Sequence, residues 1–294
     1  MVLGFRRGYW LFNTDAPHRD EMHAPIHASA LKLLAAKRPL VIGHRGYCQF
    51  APENTLPSFE MAIRAGADLV EMDYRLSSDG IPVVIHDRDL DRTTNARRKW
   101  HHRRIPVASK TAHEIQGLDA GKWFDEGFAG TRVPLLSEAL QAIHGRAVAL
   151  IERKTGDCDN CLGLLREKGL VNQVIVQSFD WKYLRQLHAQ EPHQLLAALG
   201  PAHLLANGKR PLGVVRRLNR AWLAHAQKSG ARIVVWSPKV SRGIVQLAHS
   251  QGLKVWVYTV NNARLAKRLL RAGVDGLITD NPSLIWKVMA LTHR

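Results

Sequence analysis

Two histidines, two basic residues and three carboxylates follow short apolar runs in this sequence, a set of groups that could cleave a phosphodiester. Leu40-Val41-Ile42-Gly43 runs into His44-Arg45-Gly46, and Leu69-Val70 into Glu71-Met72-Asp73. Val83-Val84-Ile85 ends in His86-Asp87, and Val148-Ala149-Leu150-Ile151 in Glu152-Arg153-Lys154. If these runs are β-strands, side chains two apart share a face. Glu71 and Asp73 then point the same way above Leu69, and Glu152 and Lys154 do so above Leu150. Three carboxylates in one place repel one another unless a cation neutralises them. An all-oxygen donor set selects a hard ion, Mg2+ or Ca2+, over zinc. Histidine titrates near neutral pH, so His44 and His86 suit an acid–base pair. Arg45 offers a fork of donors to phosphate oxygens, and Lys154 a point charge. A single Glu-x-Asp pair, or one histidine among 15, would read as ordinary surface. The coincidence over several strand ends is what points to a site.

The elements that would position these groups alternate. Strands are expected at 40–43, 69–74, 148–152, 174–177, 194–198, 233–236, 254–258 and 276–279. Helices are expected at 56–65, 136–144, 161–168, 181–190, 212–228, 240–250, 263–272 and 283–291. Strands alternating with helical patterns imply βαβ units and a parallel sheet. Eight such units favour a closed TIM-type (β/α)₈ barrel over an open doubly wound sheet, and barrel enzymes place their sites at the C-terminal strand ends. Residues 81–86 are expected to extend the second strand after a turn at Asp79-Gly80. The single-domain barrel is assigned to 38–294, and 1–37 to an N-terminal extension with one short helical stretch from Ala28 to Lys37.

Composition narrows the rest. Among 294 residues, 42 Lys and Arg exceed 25 Asp and Glu by 17, a field that attracts phosphates, nucleic acids and anionic membranes. The basic residues cluster at Arg97–Arg104 and around Lys209, Arg210, Arg216, Arg217 and Arg220. Three cysteines cannot form a disulfide framework, and their number suits a reducing compartment. Cys158 and Cys161 make one C-x-x-C without a second pair, which excludes a four-thiolate zinc site; they and Cys48 read as unrelated thiols. No apolar run approaches the ~20 residues that span a membrane, and Arg6 and Arg7 interrupt the early apolar stretch that a secretion signal would need. A cytoplasmic protein, peripheral to a membrane at most, is expected.

The same residues carry a family resemblance. His44-Arg45-Gly46, Pro52-Glu53-Asn54-Thr55, Ser58-Phe59, Gly66-Ala67-Asp68 and Glu71-x-Asp73 resemble the opening signature of glycerophosphodiester phosphodiesterases. Asp79-Gly80, Val83-Val84-x-His86-Asp87 and Leu90–Asn95 continue it. Glu152-x-Lys154, Gln177-Ser178-Phe179, Tyr258-Thr259-Val260-Asn261 and Gly273–Pro282 match later blocks, so the likeness runs from about Pro39 to the C-terminus. It implies a TIM-type barrel, one bound Ca2+ or Mg2+, and cleavage of glycerophosphodiesters to glycerol 3-phosphate and an alcohol. By the resemblance Glu71, Asp73 and Glu152 are metal ligands and His44 and His86 the acid–base pair. Arg45 and Lys154 hold the phosphate. Glu53 and Asn54 order the loop after the first strand, or Glu53 edges the site. Tyr258 stands where the family usually has tryptophan, so its aromatic contact with substrate is expected to differ.

Two other readings stay open. A lysophospholipase D-type enzyme would use the same site on lysophospholipids at an anionic membrane surface, met through the basic run containing Trp100. A nucleic-acid-binding barrel fits the charge, but it does not require the metal-spaced carboxylates or strand-end histidines, and nucleic acid is not the expected partner. Head-group preference and oligomeric state are not legible.

Overall fold

Nine strands form one sheet: β1 (Leu40–Gly43), β2 (Leu69–Leu76), β3 (Pro82–Val84), β4 (Val148–Arg153), β5 (Ile175–Ser178), β6 (Leu195–Leu199), β7 (Ile233–Trp236), β8 (Lys254–Val257) and β9 (Gly276–Thr279). This computed structural model describes residues 30–211 and 216–292. The strands follow the order β1-β9-β8-β7-β6-β5-β4-β2-β3, and β1 also pairs with β2, which closes eight of them into a barrel. All eight are parallel; Ile42 lies opposite Ile278 on one side and Leu69 on the other. The chain is thus a (β/α)₈ barrel. Residues 82–84 are not a continuation of β2. They fold back antiparallel on it, Tyr74 opposite Val84 and Leu76 opposite Pro82, because the turn at Asp79-Gly80 reverses the chain, with Gly80 at φ +76°.

Alternation along each strand separates two cores. Leu40, Ile42, Leu69, Val148, Leu150, Ile175, Ala197, Ile233, Val235, Trp256 and Ile278 fill the interior. Val41, Val70, Met72, Ala149, Ile151, Val176, Val234, Val255 and Leu277 face the surrounding helices. Ala30 and Leu33, on the short helix Ala30–Leu34, join the interior cluster. They lie just upstream of β1, so this helix plugs the barrel at the strands' N-terminal end. Residues 1–29 of the expected extension lie outside the described residues.

The helix starts follow side-chain caps. Asp157, Asp180, Asn219 and Asn262 each accept amide hydrogens of the first turn, satisfying donors that the helix leaves unpaired. Capping explains two shifts from expectation. Asp157 starts its helix at Cys158 rather than Cys161, which buries both cysteines. Asn219 starts another helix at Arg220 rather than 212, and residues 212–215 lie outside the described residues. Between β3 and the helix Leu136–Ile143 an insertion builds its own small core from Ile85, Leu90, Ile105, Val107, Ile115, Leu118 and Val133.

Candidate active site

The C-terminal strand ends bring the expected residues into one mouth. Glu71 and Asp73 on β2 and Glu152 on β4 are each buried, and one carboxylate oxygen from each lies within 4.8 Å of the others. Their register explains this: Asp73 is opposite Glu152, and both rise above the apolar layer of Leu69 and Leu150. The chain's own cations crowd the cluster. Lys154 Nζ donates to Glu152 and lies 3.0 Å from Asp73 Oδ1, while Arg45 Nε lies 3.2 Å from Asp73 Oδ2. Neutral donors orient the acids further. Arg45 N donates to Glu71 Oε2 at 2.8 Å, Gln177 Nε2 to Glu71 Oε1 at 3.3 Å, and Asn54 Nδ2 to Asp73 Oδ2 at 2.9 Å.

Even so, negative charge is undercompensated. Burial and the neighbouring Asp73 charge push the Glu71 carboxyl up to about 7, and the same two causes push Glu152 to about 8. Burial acts on Asp73 too, but Lys154 and Arg45 outweigh it and hold that carboxyl below its usual range. Three buried oxygen donors, two of which resist ionising unless more positive charge arrives, fit a hard divalent cation in chemistry and spacing.

Each histidine is backed by a carboxylate. His44 Nδ1 lies 2.6 Å from Asp280 Oδ1 just beyond β9, and His86 Nδ1 lies 2.7 Å from Asp87 Oδ1. A carboxylate partner makes Nδ1 the donor, which leaves Nε2 of each ring for the mouth. The two differ electrostatically. Burial opposes charging of His44, but Asp280 and Glu71 more than offset it and raise its pKa. Burial dominates at His86 and lowers it. Arg92 bridges the two sides: it donates to both oxygens of Asp87 and both of Glu53, and Glu53 accepts from Arg45 Nη1 at 2.7 Å.

The turn carrying His44-Arg45-Gly46 is built from left-handed backbone, Arg45 at φ 51° and Gly46 at φ 88°. A Cβ on Gly46 would sit 2.6 Å from the carbonyl carbon of Ser58, so only glycine lets this turn press on the following helix. Tyr258 lies one residue beyond β8, where its strand was expected to end. Its hydroxyl donates to Gly200 O at 2.9 Å and its ring meets Phe179 edge-on at 6.3 Å. The tyrosine hydroxyl is thus already engaged by the backbone.

Four residues that sequence reasoning left without a role surround the site: Asp280, Asp87, Gln177 and Arg92. The two-residue rule could have found two of them, since Asp280 and Gln177 follow interior Ile278 and Ile175 by two. Cys48 donates to Asp280 Oδ1 at 3.1 Å, whereas Cys158 and Cys161 are buried among barrel helices, so the three thiols share no site.

The basic run is exposed at Arg97, Arg98, Lys99, Arg103 and Arg104. Trp100 within it packs on the insertion core, with Lys110 Nζ 4.4 Å above its ring. No helix among the described residues is long and apolar enough to cross a membrane.

Known proteins resemble this chain in sequence and fold. The sequence profile of the glycerophosphoryl diester phosphodiesterase family matches residues 44–284. A glycerophosphodiester phosphodiesterase of Caldanaerobacter subterraneus is 32% identical over 255 residues, 84% of this chain and 96% of that one. The crystal structure of a glycerophosphodiester phosphodiesterase from Agrobacterium tumefaciens superposes with a TM-score of 0.69 at 30% identity, covering 84% of this chain and 98% of the other. An Oleispira antarctica phosphodiesterase in complex with the product sn-glycerol-3-phosphate superposes with a TM-score of 0.74 at 25% identity, covering 87% and 99%.

Proposed function

This chain belongs to the glycerophosphoryl diester phosphodiesterase family, and on that premise we propose that it hydrolyses glycerophosphodiesters to glycerol 3-phosphate and an alcohol, using one divalent cation and a histidine pair. The observation that carries the proposal is the convergence of three buried carboxylates and two carboxylate-backed histidines on one barrel mouth. Glu71, Asp73 and Glu152 would hold Mg2+ or Ca2+. The ion, when bound, polarises the phosphoryl oxygens as a Lewis acid. Arg45 and Lys154 lie at the cluster's edge and would turn from the carboxylates to the phosphate oxygens, stabilising charge on the way to a pentacovalent transition state. One histidine takes a proton from the attacking hydroxyl at its Nε2, and the other delivers one to the leaving alcohol. Asp280 and Asp87 hold the two rings in the tautomer that this exchange needs. Tyr258 would pack its ring on the glycerol or leaving group.

The deciding assay is release of glycerol 3-phosphate from glycerophosphocholine and glycerophosphoethanolamine, with Ca2+, Mg2+ or chelator, beside Glu71→Ala. Release that requires a divalent ion and vanishes in the variant is the expected result. A folded wild type inert on every simple diester would count against the reading and favour lysophospholipids. That second substrate class is supported by the exposed arginines near the insertion; the packed position of Trp100 limits contact with an anionic surface to charge.

A further inference from the structure

We propose that His44, Cys48 and Asp280 form a second metal site, one that takes a thiophilic divalent cation such as Zn2+ and inhibits the enzyme. A ring nitrogen of His44, Sγ of Cys48 and a carboxylate oxygen of Asp280 lie within 4.8 Å of one another, all half-buried at the barrel mouth. Both Nδ1, at 2.6 Å, and Sγ, at 3.1 Å, converge on the same oxygen, Oδ1. Asp280 is fixed from behind, its Oδ2 accepting from Asn261 Nδ2 at 2.5 Å and its own N–H donating to Asn261 Oδ1 at 2.9 Å. A nitrogen, a sulfur and an oxygen on a braced carboxylate make a zinc-type donor set, open to water at the fourth position. The cluster of Glu71, Asp73 and Glu152 is all oxygen, so hard and soft ions would sort between two neighbouring sites. Zinc bonds of about 2.0–2.3 Å need Nδ1 and Oδ1 to part by under about 1 Å, a side-chain adjustment.

The proton balance predicts the consequence. The Cys48 thiol releases its proton to solvent as the sulfur–metal bond forms. In neutral His44 the Nδ1 proton is displaced and the ring takes one at Nε2 instead; in the imidazolium form the Nδ1 proton leaves to solvent. Either way Nε2 ends protonated on a ring already bonded to a metal. It has no lone pair to act as base, and it has lost the easily shed charge that makes an imidazolium a useful acid. Inhibition therefore rests on the catalytic role proposed for His44, whereas binding does not.

Co2+ provides a probe for binding because a thiolate ligand gives it a sulfur-to-metal charge-transfer band in the near ultraviolet, which oxygen ligands do not. The full chain, with millimolar Mg2+ present, is titrated with Co2+ and then Zn2+, beside Cys48→Ser, which retains a donor to Asp280. The expected result is a band in the wild type, abolished by Zn2+ and missing in the variant. Hydrolysis by the wild type should be blocked by Zn2+ at concentrations at least about tenfold below those needed for Cys48→Ser, the low end of what altering a metal site costs in affinity. No band, or one that survives in Cys48→Ser, overturns the site. A band with hydrolysis undiminished overturns the inhibition. If the wild type hydrolyses no diester, the band still decides the site, so the two readings fail separately.

Discussion

At the scale of single residues, the site is a set of charges whose partners set their behaviour. His44 and His86 have similar backing but opposite shifts, because burial, with Lys154 adding to it, prevails at His86 despite the charge of Asp73, whereas Asp280 and Glu71 outweigh burial at His44. Replacing either histidine by alanine is expected to lower kcat at least about 10²-fold, within the usual worth of acid–base groups; near-normal turnover on glycerophosphocholine in either variant would remove that residue from the mechanism. Asp280 raises the pKa of His44, so Asp280→Asn should lower it and let the ring shed its proton at more acidic pH. NMR titration of the His44 ring protons reads this directly. An unchanged midpoint would mean that the 2.6 Å contact contributes nothing to the charge state.

Among the elements, the short helix before β1 and the insertion after β3 do different work. Ala30 and Leu33 close the interior core at the end opposite the site. Leu33 is 2% exposed, and truncating a leucine that buried costs about 2–5 kcal/mol. Leu33→Ala should therefore lower the urea midpoint of unfolding while leaving the kcat of the folded enzyme unchanged. A fall in kcat at full folding would instead couple the plug to the mouth. The insertion brings His86, Asp87 and Arg92 over the barrel, and Arg92 ties it to Glu53 on the loop after β1. The resemblance already marked Glu53 and Asn54 as ordering that loop or edging the site. Their partners Arg45 and Asp73 lie 8 and 19 residues away, whereas Arg92 meets Glu53 across 39 residues, only once the two loops are folded together.

Over the whole molecule, the excess of 17 positive charges predicts electrostatic attraction to anionic surfaces. Binding to vesicles of acidic phospholipid is expected at low salt and to fade as ionic strength shortens the Debye length from about 10 Å at 0.1 M to 3 Å at 1 M. Co-sedimentation across a salt series measures it. Attachment that persisted in molar salt would require an apolar anchor, a role that Trp100 cannot fill while packed against Lys110 and the insertion core.

What the sequence determined alone was the alternation that makes a barrel and the identity of groups sitting directly at strand ends. A period of two and an apolar run are local properties, so Glu71, Asp73, Glu152 and His44 could be placed on one face before any contact was known. Tertiary structure decided everything that depends on which strand lies beside which. Asp280 reaches His44 across 236 residues of chain because β9 pairs with β1 to close the barrel, and no local pattern encodes that closure. It also decided the direction of residues 82–84, since a turn and an apolar run read alike whether the chain continues or folds back. The charge state of the carboxylates follows from the same closure: burial and mutual repulsion exist only when the strand ends meet.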